Sequence, residues 1–147
     1  MRVPVTIRLL TIDDEPLFAS VPPDLFDDPI DPAATREFLD DPRHYMAAAI
    51  DGGVLVGFAS AVRYSHPDKK RPQFWVNELA VAESHQRRGL AKAMMRLLAE
   101  AARDAGCFEM WVGTEVSNTA ARRTYVSSGG TEDDEAFVSY VWDLDRL

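Results

Sequence analysis

The sequence has little cysteine and no long apolar run. Because Cys107 is the one cysteine in 147 residues, no internal disulfide can form, which fits a reducing compartment. Cys107 follows a glycine and opens an apolar run, so we expect a buried structural thiol. No apolar stretch approaches the length of a membrane span, and residues 1–8 lack the apolar core of a signal peptide. We therefore expect a cytoplasmic protein, with residues 1–147 forming one domain.

Basic residues are scarce and unevenly placed. The formal net charge of −8 argues against non-specific nucleic-acid binding, which needs a basic surface. Residues 13–41 contain ten acids and one base, and residues 131–145 contain six acids and no base. Residues 84–96 carry four bases and no acid. This distribution favours an anion on one surface and a cation on others, although each run could also be a solvated face.

The glycine-rich loops of common nucleotide-binding proteins are absent, since neither Gly-x-Gly-x-x-Gly nor Gly-x-x-x-x-Gly-Lys-Ser/Thr occurs. The chain has instead the turn Gln86–Ala91, between an apolar run and a helical pattern that begins near Leu90. A strand that turns through Gly89 into a helix leaves unpaired N–H groups at the positive end of the helix dipole. The turn therefore predicts a phosphate site, and the alternative is a helix start without a ligand. Three bases lie beside it: Arg87, Arg88 and Lys92.

Periodicity and turn residues predict a mixed α/β chain. The Asp51-Gly52-Gly53 sequence predicts a hairpin between two strands, and Asp31 is the expected N-cap of a helix that begins at Pro32. Gly106 is expected to end the long helix. The predicted strands are 3–11, 44–50, 54–64, 74–81, 107–114 and 137–144, and the predicted helices are 32–39, 90–105 and 118–127.

Two motifs in register resemble the acetyl-CoA-binding core of the GNAT N-acetyltransferase superfamily. The first is Asn77-Glu78-Leu79-Ala80-Val81 followed by Gln86-Arg87-Arg88-Gly89-Leu90-Ala91, similar to the family's Gln/Arg-x-x-Gly-x-Gly/Ala. The second is the spacing Asn-x-x-Ala-x-x-x-Tyr-x-x-x-Gly, which Asn118, Ala121, Tyr125 and Gly129 match. The chain is also similar to aminoglycoside 3-N-acetyltransferase-like members around residues 78–91 and 132–135. It departs from the family at Gly130, where many members carry an aromatic residue.

The resemblance implies a GNAT-like α/β (α+β) fold. Its central sheet would be mixed and mostly antiparallel, with about six to seven strands and a splayed middle, flanked by about four helices. It also implies acetyl-CoA as cosubstrate, an amine acceptor and a homodimer, without metal, nucleic acid or membrane. Backbone N–H groups of residues 87–91 would hold the CoA pyrophosphate, and the strand would pair with the pantetheine arm. The implied cofactor-binding residues are Leu79, Ala80, Val81, Gln86, Arg87, Arg88, Gly89, Leu90, Ala91, Lys92, Asn118, Ala121 and Tyr125.

Acetyl transfer to an amine requires two proton transfers. An alkylamine has a pKa of about 10.4 in the lysine case, so it must lose a proton before it attacks. Glu78, beside the implied thioester, is the candidate general base, directly or through water. The departing thiolate resembles cysteine, with a pKa of about 8.5, and the family often places its phenol acid at the position of Tyr125. The alternatives are a strand-end carboxylate paired with an arginine for Glu78 and a core aromatic for Tyr125.

Other polar residues are less informative. His44, His66 and His85 show no metal-ligand spacing with Cys107, and His85 is expected at the surface. Asn118 is both a helix N-cap by its chemistry and a CoA contact by the resemblance.

Three functions remain open at this point. The first is an acetyl-CoA-dependent N-acetyltransferase acting on a small cationic molecule or on a peptide or protein amine, with acidic residues 13–41 and 132–135 framing the acceptor entrance. The second is a CoA-binding or regulatory module without catalysis. The third is a phosphate-binding domain unrelated to CoA.

Overall fold

The computed structural model describes residues 4–147, which form a curled five-stranded sheet with helices on both faces. The strands are β1 (Thr6–Leu9), β2 (His44–Asp51), β3 (Val54–Tyr64), β4 (Gln73–Val81) and β5 (Glu109–Trp111). The α-helices are α1 (Pro32–Asp40), α2 (Leu90–Asp104) and α3 (Thr119–Ser127). Short 3-10 helices span Ile12–Ala19, Glu83–His85 and Leu144–Arg146.

The strands lie in the order β1-β2-β3-β4-β5, antiparallel up to β4 and parallel between β4 and β5. A parallel pair needs a crossover connection, and α2 supplies it. The β4–β5 ladder ends at the pair Trp75–Trp111. Beyond Trp75, β4 keeps β3 on one side, and no strand among residues 4–147 lies on the other. The predicted splay in the middle of the sheet is therefore present.

Each face of the sheet has its own core. On one face α2 packs with a stripe of residues spaced by four, Leu90, Met94, Leu98 and Ala102, which are all buried. On the other face Phe18 and Leu25 pack against Phe58 of β3. One face of β4 is therefore covered by α2, and the other face is covered by the 3-10 helix Ile12–Ala19 and α1.

Local capping and turn signals correctly predicted several boundaries. Asp31 accepts a hydrogen bond from the backbone N of Ala34 at 2.8 Å, with Pro32 at the first turn of α1. The hairpin at residues 51–54 joins β2 to β3 as predicted. Cys107 is a free, half-buried thiol, and this burial raises its pKa, which fits a structural role.

The predicted number of strands, six to seven, was too high for the described residues, which form five. Residues 137–144 are predicted as a strand but form no ladder, and the predicted strand 107–114 shortens to Glu109–Trp111. The first strand is Thr6–Leu9, and Val3, where it was expected to begin, lies outside the described residues. Alternating apolar residues indicate strand propensity, but a strand forms only where a neighbouring edge lies within reach.

Candidate active site

A β-bulge in β4 determines where Glu78 points. In the β3–β4 ladder Ser60 pairs with Glu78 and Ala61 pairs with Val76, so Asn77 is an extra residue on β4. One inserted residue reverses the alternation of side chains beyond it. Even-numbered side chains before Asn77 and odd-numbered side chains after it therefore point to the same face of the sheet.

This reversal directs the Glu78 side chain away from the core on the α2 face. Without the bulge, the alternation that buries Phe74 and Val76 would direct Glu78 towards α2 as well. With the bulge, Glu78 lines a cavity on the opposite face, next to Ala80, which packs in the core of that face. The β4 side chains that face α2 are Phe74, Val76, Leu79 and Val81.

The cavity beside Glu78 has a volume of about 340 Å³ and mixes acidic and aromatic residues. No lysine or arginine is among the described residues that line it. Apolar walls with a few convergent carboxylates suit a ligand that carries positive charge on a carbon skeleton. Besides Glu78, its lining includes Asp27, Asp28 and Asp31 and the rings of Phe26 and Phe38.

The surroundings of Glu78 favour its protonated form. Burial raises the pKa of this carboxyl group above its usual value, and the negative charge of Asp27 raises it further. No ion pair or hydrogen bond to the Glu78 side chain occurs among residues 4–147, so the alternative of an arginine-paired carboxylate is not found there. A carboxylate with a raised pKa in a cavity is suited to accept a proton from a bound ligand.

The turn between β4 and α2 leaves the start of α2 open. Gly89 precedes the helix with a φ of 76°, a left-handed conformation that glycine adopts without steric cost. The Gly89 carbonyl accepts the first helical hydrogen bond, from Ala93 N at 3.1 Å. The N–H groups of Leu90, Ala91 and Lys92 therefore have no acceptor within the helix. A Cβ at position 89 would meet no atom within 4 Å, so the space beside Gly89 at the start of α2 is open.

Three basic residues lie in or next to this turn, at positions 87, 88 and 92. Arg87 has a φ of 62°, which is uncommon for a residue with a Cβ and is found most often at functional turns. None of the three bases takes part in an ion pair within residues 4–147. Their charges, the helix dipole and the unpaired N–H groups together suit a phosphate group. The bases are Arg87, Arg88 and Lys92.

Hydrogen bonds to β4 and to a distant segment of the chain hold the turn in place. Gln86 Nε2 donates to the carbonyl of Val81 at 3.0 Å, so this side chain closes the turn onto the end of β4. Asp24, from the segment before α1, accepts a hydrogen bond from Glu83 N at 2.7 Å. The turn is therefore fixed to both its own strand and a distant segment.

His85 adds a further connection that the sequence did not predict. Its Nε2 lies 2.7 Å from Oδ2 of Asp51 in the β2–β3 hairpin, and its Nδ1 lies 2.7 Å from Oγ of Ser84. The His85 side chain is 14% exposed, so the expectation of a surface histidine was wrong. No sequence signal links Asp51 to His85, because they lie 34 positions apart and meet through the pairing of β2, β3 and β4.

The second motif forms the start and the buried face of α3. Asn118 Oδ1 accepts a hydrogen bond from Ala121 N at 3.1 Å, which confirms the predicted N-cap. Tyr125 is half-buried against the core on the α2 face, and burial raises the pKa of its phenol above the usual value. The phenol is therefore protonated at neutral pH, as a proton donor must be.

The departure from the family pattern at Gly130 has a local cause. The Gly130 N–H donates to the carbonyl of Tyr125 at 2.9 Å and so closes the end of α3. A Cβ at position 130 would lie 2.9 Å from the same carbonyl oxygen. This path of the chain leaves no room for an aromatic residue.

Glu78 and Tyr125 lie on opposite faces of the sheet, next to the splay. Glu78 lines the acidic cavity, whereas Tyr125 packs against the core on the α2 face, as Leu79 and Val81 of β4 do. The acidic residues 132–135 are not among the residues that line the cavity, and Glu132 pairs with Arg122 at 2.7 Å. Of the two acidic regions expected at the acceptor entrance, the structure brings only the first to Glu78.

Residues 4–147 contain no group of three His, Cys, Asp or Glu residues that could hold a metal ion. Across the same range, no helix has both the length and the apolar character needed to cross a membrane.

Comparison with known proteins gives a family match over residues 7–129, to the acetyltransferase (GNAT) family. The chain belongs to this family. It is 34% identical over 128 residues to the N-alpha-acetyltransferase RimI of Mycobacterium tuberculosis, a match that covers 86% of this chain and 78% of RimI. It is 29% identical over 110 residues to N-acetyltransferase 8B of Rattus norvegicus, which covers 75% of this chain and 50% of that protein. The chain thus spans about half the length of this relative.

Solved structures confirm the GNAT-like α/β fold. An aminoglycoside acetyltransferase from an uncultured soil metagenomic sample, in complex with sisomicin, superposes with a TM-score of 0.80 at 19% identity, over 94% of this chain and 95% of that one. The aminoglycoside acetyltransferase AAC(6')-Iy, in complex with the bisubstrate analogue CoA-S-monomethyl-acetylneamine, gives a TM-score of 0.77 at 23% identity, over 95% and 99% of the two chains. At these identities the likeness extends to the fold alone.

Proposed function

We propose that this chain transfers the acetyl group of acetyl-CoA to a primary amine on a small cationic molecule or on a peptide or protein. The observation that carries the proposal is the position of Glu78. The bulge at Asn77 directs this carboxylate into an acidic cavity. The next residues of β4 have one edge that no described strand occupies. An amine and an extended acyl carrier can therefore meet at the splay from opposite faces of the sheet.

The residues of the β4–α2 turn fit the phosphate end of acetyl-CoA. Backbone N–H groups from Arg87 to Ala91 and the side chains of Arg88 and Lys92 would hold the pyrophosphate, and the braced turn needs little rearrangement to do so. Gln86 contributes by closing the turn onto Val81. The open edge of Leu79, Ala80 and Val81 pairs with the pantetheine amides, in the manner of an added strand. Asn118 and Ala121 complete the cofactor-binding residues at the start of α3.

The acidic cavity fits the amine acceptor. Four carboxylates line it without a basic residue among those described, so a positively charged ligand is favoured over a neutral one. RimI is named for acetylation of α-amines, and one solved structure of this fold is an aminoglycoside acetyltransferase in complex with sisomicin. Both kinds of acceptor are cationic amines, so both belong in the acceptor panel.

In the reaction, Glu78 accepts a proton from the ammonium group of the acceptor, directly or through one water. The neutral amine then attacks the thioester carbonyl, so a C–N bond forms and the C–S bond breaks. Tyr125 donates its phenolic proton to the departing thiolate. The nitrogen loses its second proton as the amide forms; this proton restores the Tyr125 phenol through solvent, and Glu78 releases the first proton to solvent. The backbone N–H near Ala80 or Val81 polarises the carbonyl oxygen as negative charge develops there. The products are an N-acetyl amine and CoA thiol.

We further propose that residues 1–147 act as one domain in the cytoplasm and as a homodimer. The single cysteine, which leaves no internal disulfide to form, suits a reducing compartment.

The test is release of CoA thiol from acetyl-CoA with aminoglycosides, polyamines and peptides as parallel acceptors. We expect turnover with at least one cationic amine and a loss of about 100-fold or more in kcat for Glu78→Gln. The matched control is Glu83→Gln, an exposed residue on the 3-10 helix outside the cavity. CoA binding by calorimetry without turnover on any acceptor would instead support a regulatory module. No CoA binding would support an unrelated phosphate-binding domain.

A further inference from the structure

A pair of stacked tryptophans lies at the point where β4 and β5 separate. Trp75 and Trp111 form the last pair of the β4–β5 ladder, and their ring centroids are 5.9 Å apart. Trp111 is 41% exposed and Trp75 is half-buried, so the pair presents an indole surface to open space. Sites for small ligands are commonly lined by aromatic side chains of this kind.

The pair lies on the same face of the sheet as Glu78. Met110 packs against the core on the α2 face, so its neighbour Trp111 points to the opposite face. Phe74 is likewise buried on the α2 face, which directs Trp75 to the same side as Trp111. The bulge in β4 brings Glu78 to this side as well. The carboxylate and the indole pair therefore lie on one face.

The row of side chains that contains the tryptophans borders the acidic cavity. Met46 and Glu78, which line the cavity, both pair with Ser60 and so lie in one row across β2, β3 and β4. Neighbouring rows on one face of a sheet are about 7 Å apart. The next row towards the start of β4 consists of His44, Val62, Trp75 and Trp111.

A hydrogen bond fixes the orientation of the Trp111 ring. Its Nε1 donates to the phenolic oxygen of Tyr64 at 2.7 Å. The indole N–H is the one hydrogen-bond donor of a tryptophan side chain, so the exposed part of the ring offers only its apolar surface. An aromatic ring suits this surface better than a sugar hydroxyl, which would lose hydrogen bonds to water there.

The position of the pair fits the acceptor and not the cofactor. The proposed CoA site begins at Leu79 and continues into the turn after β4, whereas the tryptophans lie towards the start of β4. Lys70 and Arg71, in the loop just before β4, disfavour a second cation at this end of the site. The part of the acceptor that reaches the pair is therefore apolar.

We propose that the acceptor carries an aromatic ring about 10 Å from its reacting amine, and that this ring stacks on Trp75 and Trp111 while the amine lies beside Glu78. The distance follows from the three steps along β4 between Trp75 and Glu78, at about 3.3 Å per residue. The inference rests on the proposed function, because it takes the cavity beside Glu78 as the amine site. An arylalkylamine supplies such a ring, and so does an aromatic side chain near the N-terminus of a peptide.

The first test is binding of phenylalkylamines of increasing chain length, from benzylamine to phenyloctylamine, measured by calorimetry in the presence of CoA. Wild type should bind the amine whose chain spans about 10 Å roughly tenfold more tightly than the alkylamine without a ring. Trp111→Val should remove this preference. The matched control is Trp142→Val, at a residue that is 69% exposed and belongs to no ladder within residues 4–147, and it should keep the preference.

Two results of the binding series would overturn the proposal. One is equal affinity of wild type for amines with and without a ring, or a preference that survives Trp111→Val. The other is a linear diamine that binds more tightly than the phenylalkylamine of equal length, which would indicate a second cation at the tryptophans.

Tyr64→Phe tests the same surface with both indoles in place. It removes the hydrogen bond that orients the Trp111 ring, so the preference for a ring should fall roughly threefold. In the Trp142→Val background the two remaining tryptophans are the stacked pair. Binding of the preferred phenylalkylamine should then shift their fluorescence to shorter wavelength, because stacking removes water from the rings. Unchanged emission on binding would contradict the proposed contact.

Turnover distinguishes a failure of this inference from a failure of the proposed function. A ring preference in binding without release of CoA thiol from any amine would contradict acetyl transfer and leave the aromatic site in place. Thiol release without a ring preference would do the opposite. Tripeptides with phenylalanine or alanine at the third position form a parallel series. A stronger ring preference among the tripeptides identifies a peptide acceptor, a stronger one among the phenylalkylamines identifies a small molecule, and both support the proposal.

Discussion

The β4–α2 turn and residues 137–144, here called the 137–144 segment, both lie at the surface, but they are held in different ways. Asp24 and Asp51 fix residues 83 and 85 of the turn through hydrogen bonds of 2.7 Å, and Gln86 ties it to β4. The described segment contacts Gly113 through Phe137 but belongs to no ladder. A turn braced within its own chain can bind a ligand with little reorganisation, whereas the apolar side chains of residues 137–144 remain largely exposed.

The strongest test of the braced turn is Gly89→Asp. A carboxylate in the open space before α2 would occupy the proposed pyrophosphate position and repel the phosphate charge. We expect affinity for CoA to fall by roughly 100-fold or more, by the loss of two or more charge-assisted hydrogen bonds. Isothermal titration calorimetry with CoA measures the effect without any acceptor.

Gly106→Asp is the control for strain at this position. Gly106 lies at the other end of the same helix with a φ of 81°, and no atom lies within 4 Å of a Cβ there either. Both variants should lose about 1–2 kcal/mol of stability from a left-handed residue with a Cβ, but only Gly89→Asp should lose CoA binding. Equal affinity in the two variants would contradict a cofactor role for the turn.

The second largest effect is expected at Glu78, on the strand that leads into the turn. Because burial and Asp27 raise the pKa of Glu78, the base is lost on acidification at a higher pH than for an ordinary glutamate. The kcat profile of wild type should therefore fall on its acid side above the usual glutamate range, and Glu78→Gln should abolish that fall together with most of the rate. Asp27→Asn should move the fall to lower pH, because it removes the charge that raises the Glu78 pKa. An unchanged pH profile in both variants would exclude Glu78 as the base.

The same comparison explains how much of the fold could be predicted from the sequence. Asp31, Gly89 and Asn118 act through hydrogen bonds or backbone angles within a few residues, and the helices start where these residues place them. The 137–144 segment has an equally clear strand pattern, but its structure depends on an edge elsewhere. Hydrogen bonds and backbone angles within a few residues can be predicted from a sequence, whereas the presence of a free strand edge cannot.

The candidate site could likewise be predicted only where it depends on residues close together in the sequence. The sequence identified Glu78 as a candidate base from the resemblance, but the bulge at Asn77 that directs it into the cavity depends on pairing with Ser60 and Ala61 in β3. The link between His85 and Asp51 was missed for the same reason. Acidic residues 24–31 approach the site through tertiary packing, and the distant acids at 132–135 do not line the cavity.

Two glycine-to-alanine substitutions should measure how tightly the chain is packed in the core of the sheet, at Gly57, and beside the 137–144 segment, at Gly113. At Gly57 an added Cβ would lie 3.1 Å from Cε of the buried Met94 and 3.3 Å from the backbone oxygen of Ala80. Gly57→Ala should destabilise the protein by about 1–2 kcal/mol, since overpacking outweighs the lower entropy of the unfolded chain. At Gly113 the clash is with the Phe137 ring, which is 70% exposed and can rotate away.

Gly113→Ala should therefore cost less than about 0.5 kcal/mol. Urea denaturation of both variants at one protein concentration gives the comparison. A cost at Gly113 equal to that at Gly57 would contradict this expectation and would show that the Phe137 ring is held firmly in place.

The smallest effect is expected at the Asp51–His85 contact, which braces the turn without touching a ligand. A double-mutant cycle of Asp51→Asn and His85→Gln is needed because Asp51 also takes part in other interactions. Losing this half-buried contact should raise KM for acetyl-CoA roughly fivefold, the equivalent of about 1 kcal/mol, and leave kcat nearly unchanged. The control cycle is His66 with Asp68, a pair at 2.6 Å with side chains 67% and 64% exposed, which should leave KM unchanged. A fall in kcat with constant KM would mean that His85 acts on the chemistry and not on the position of the turn.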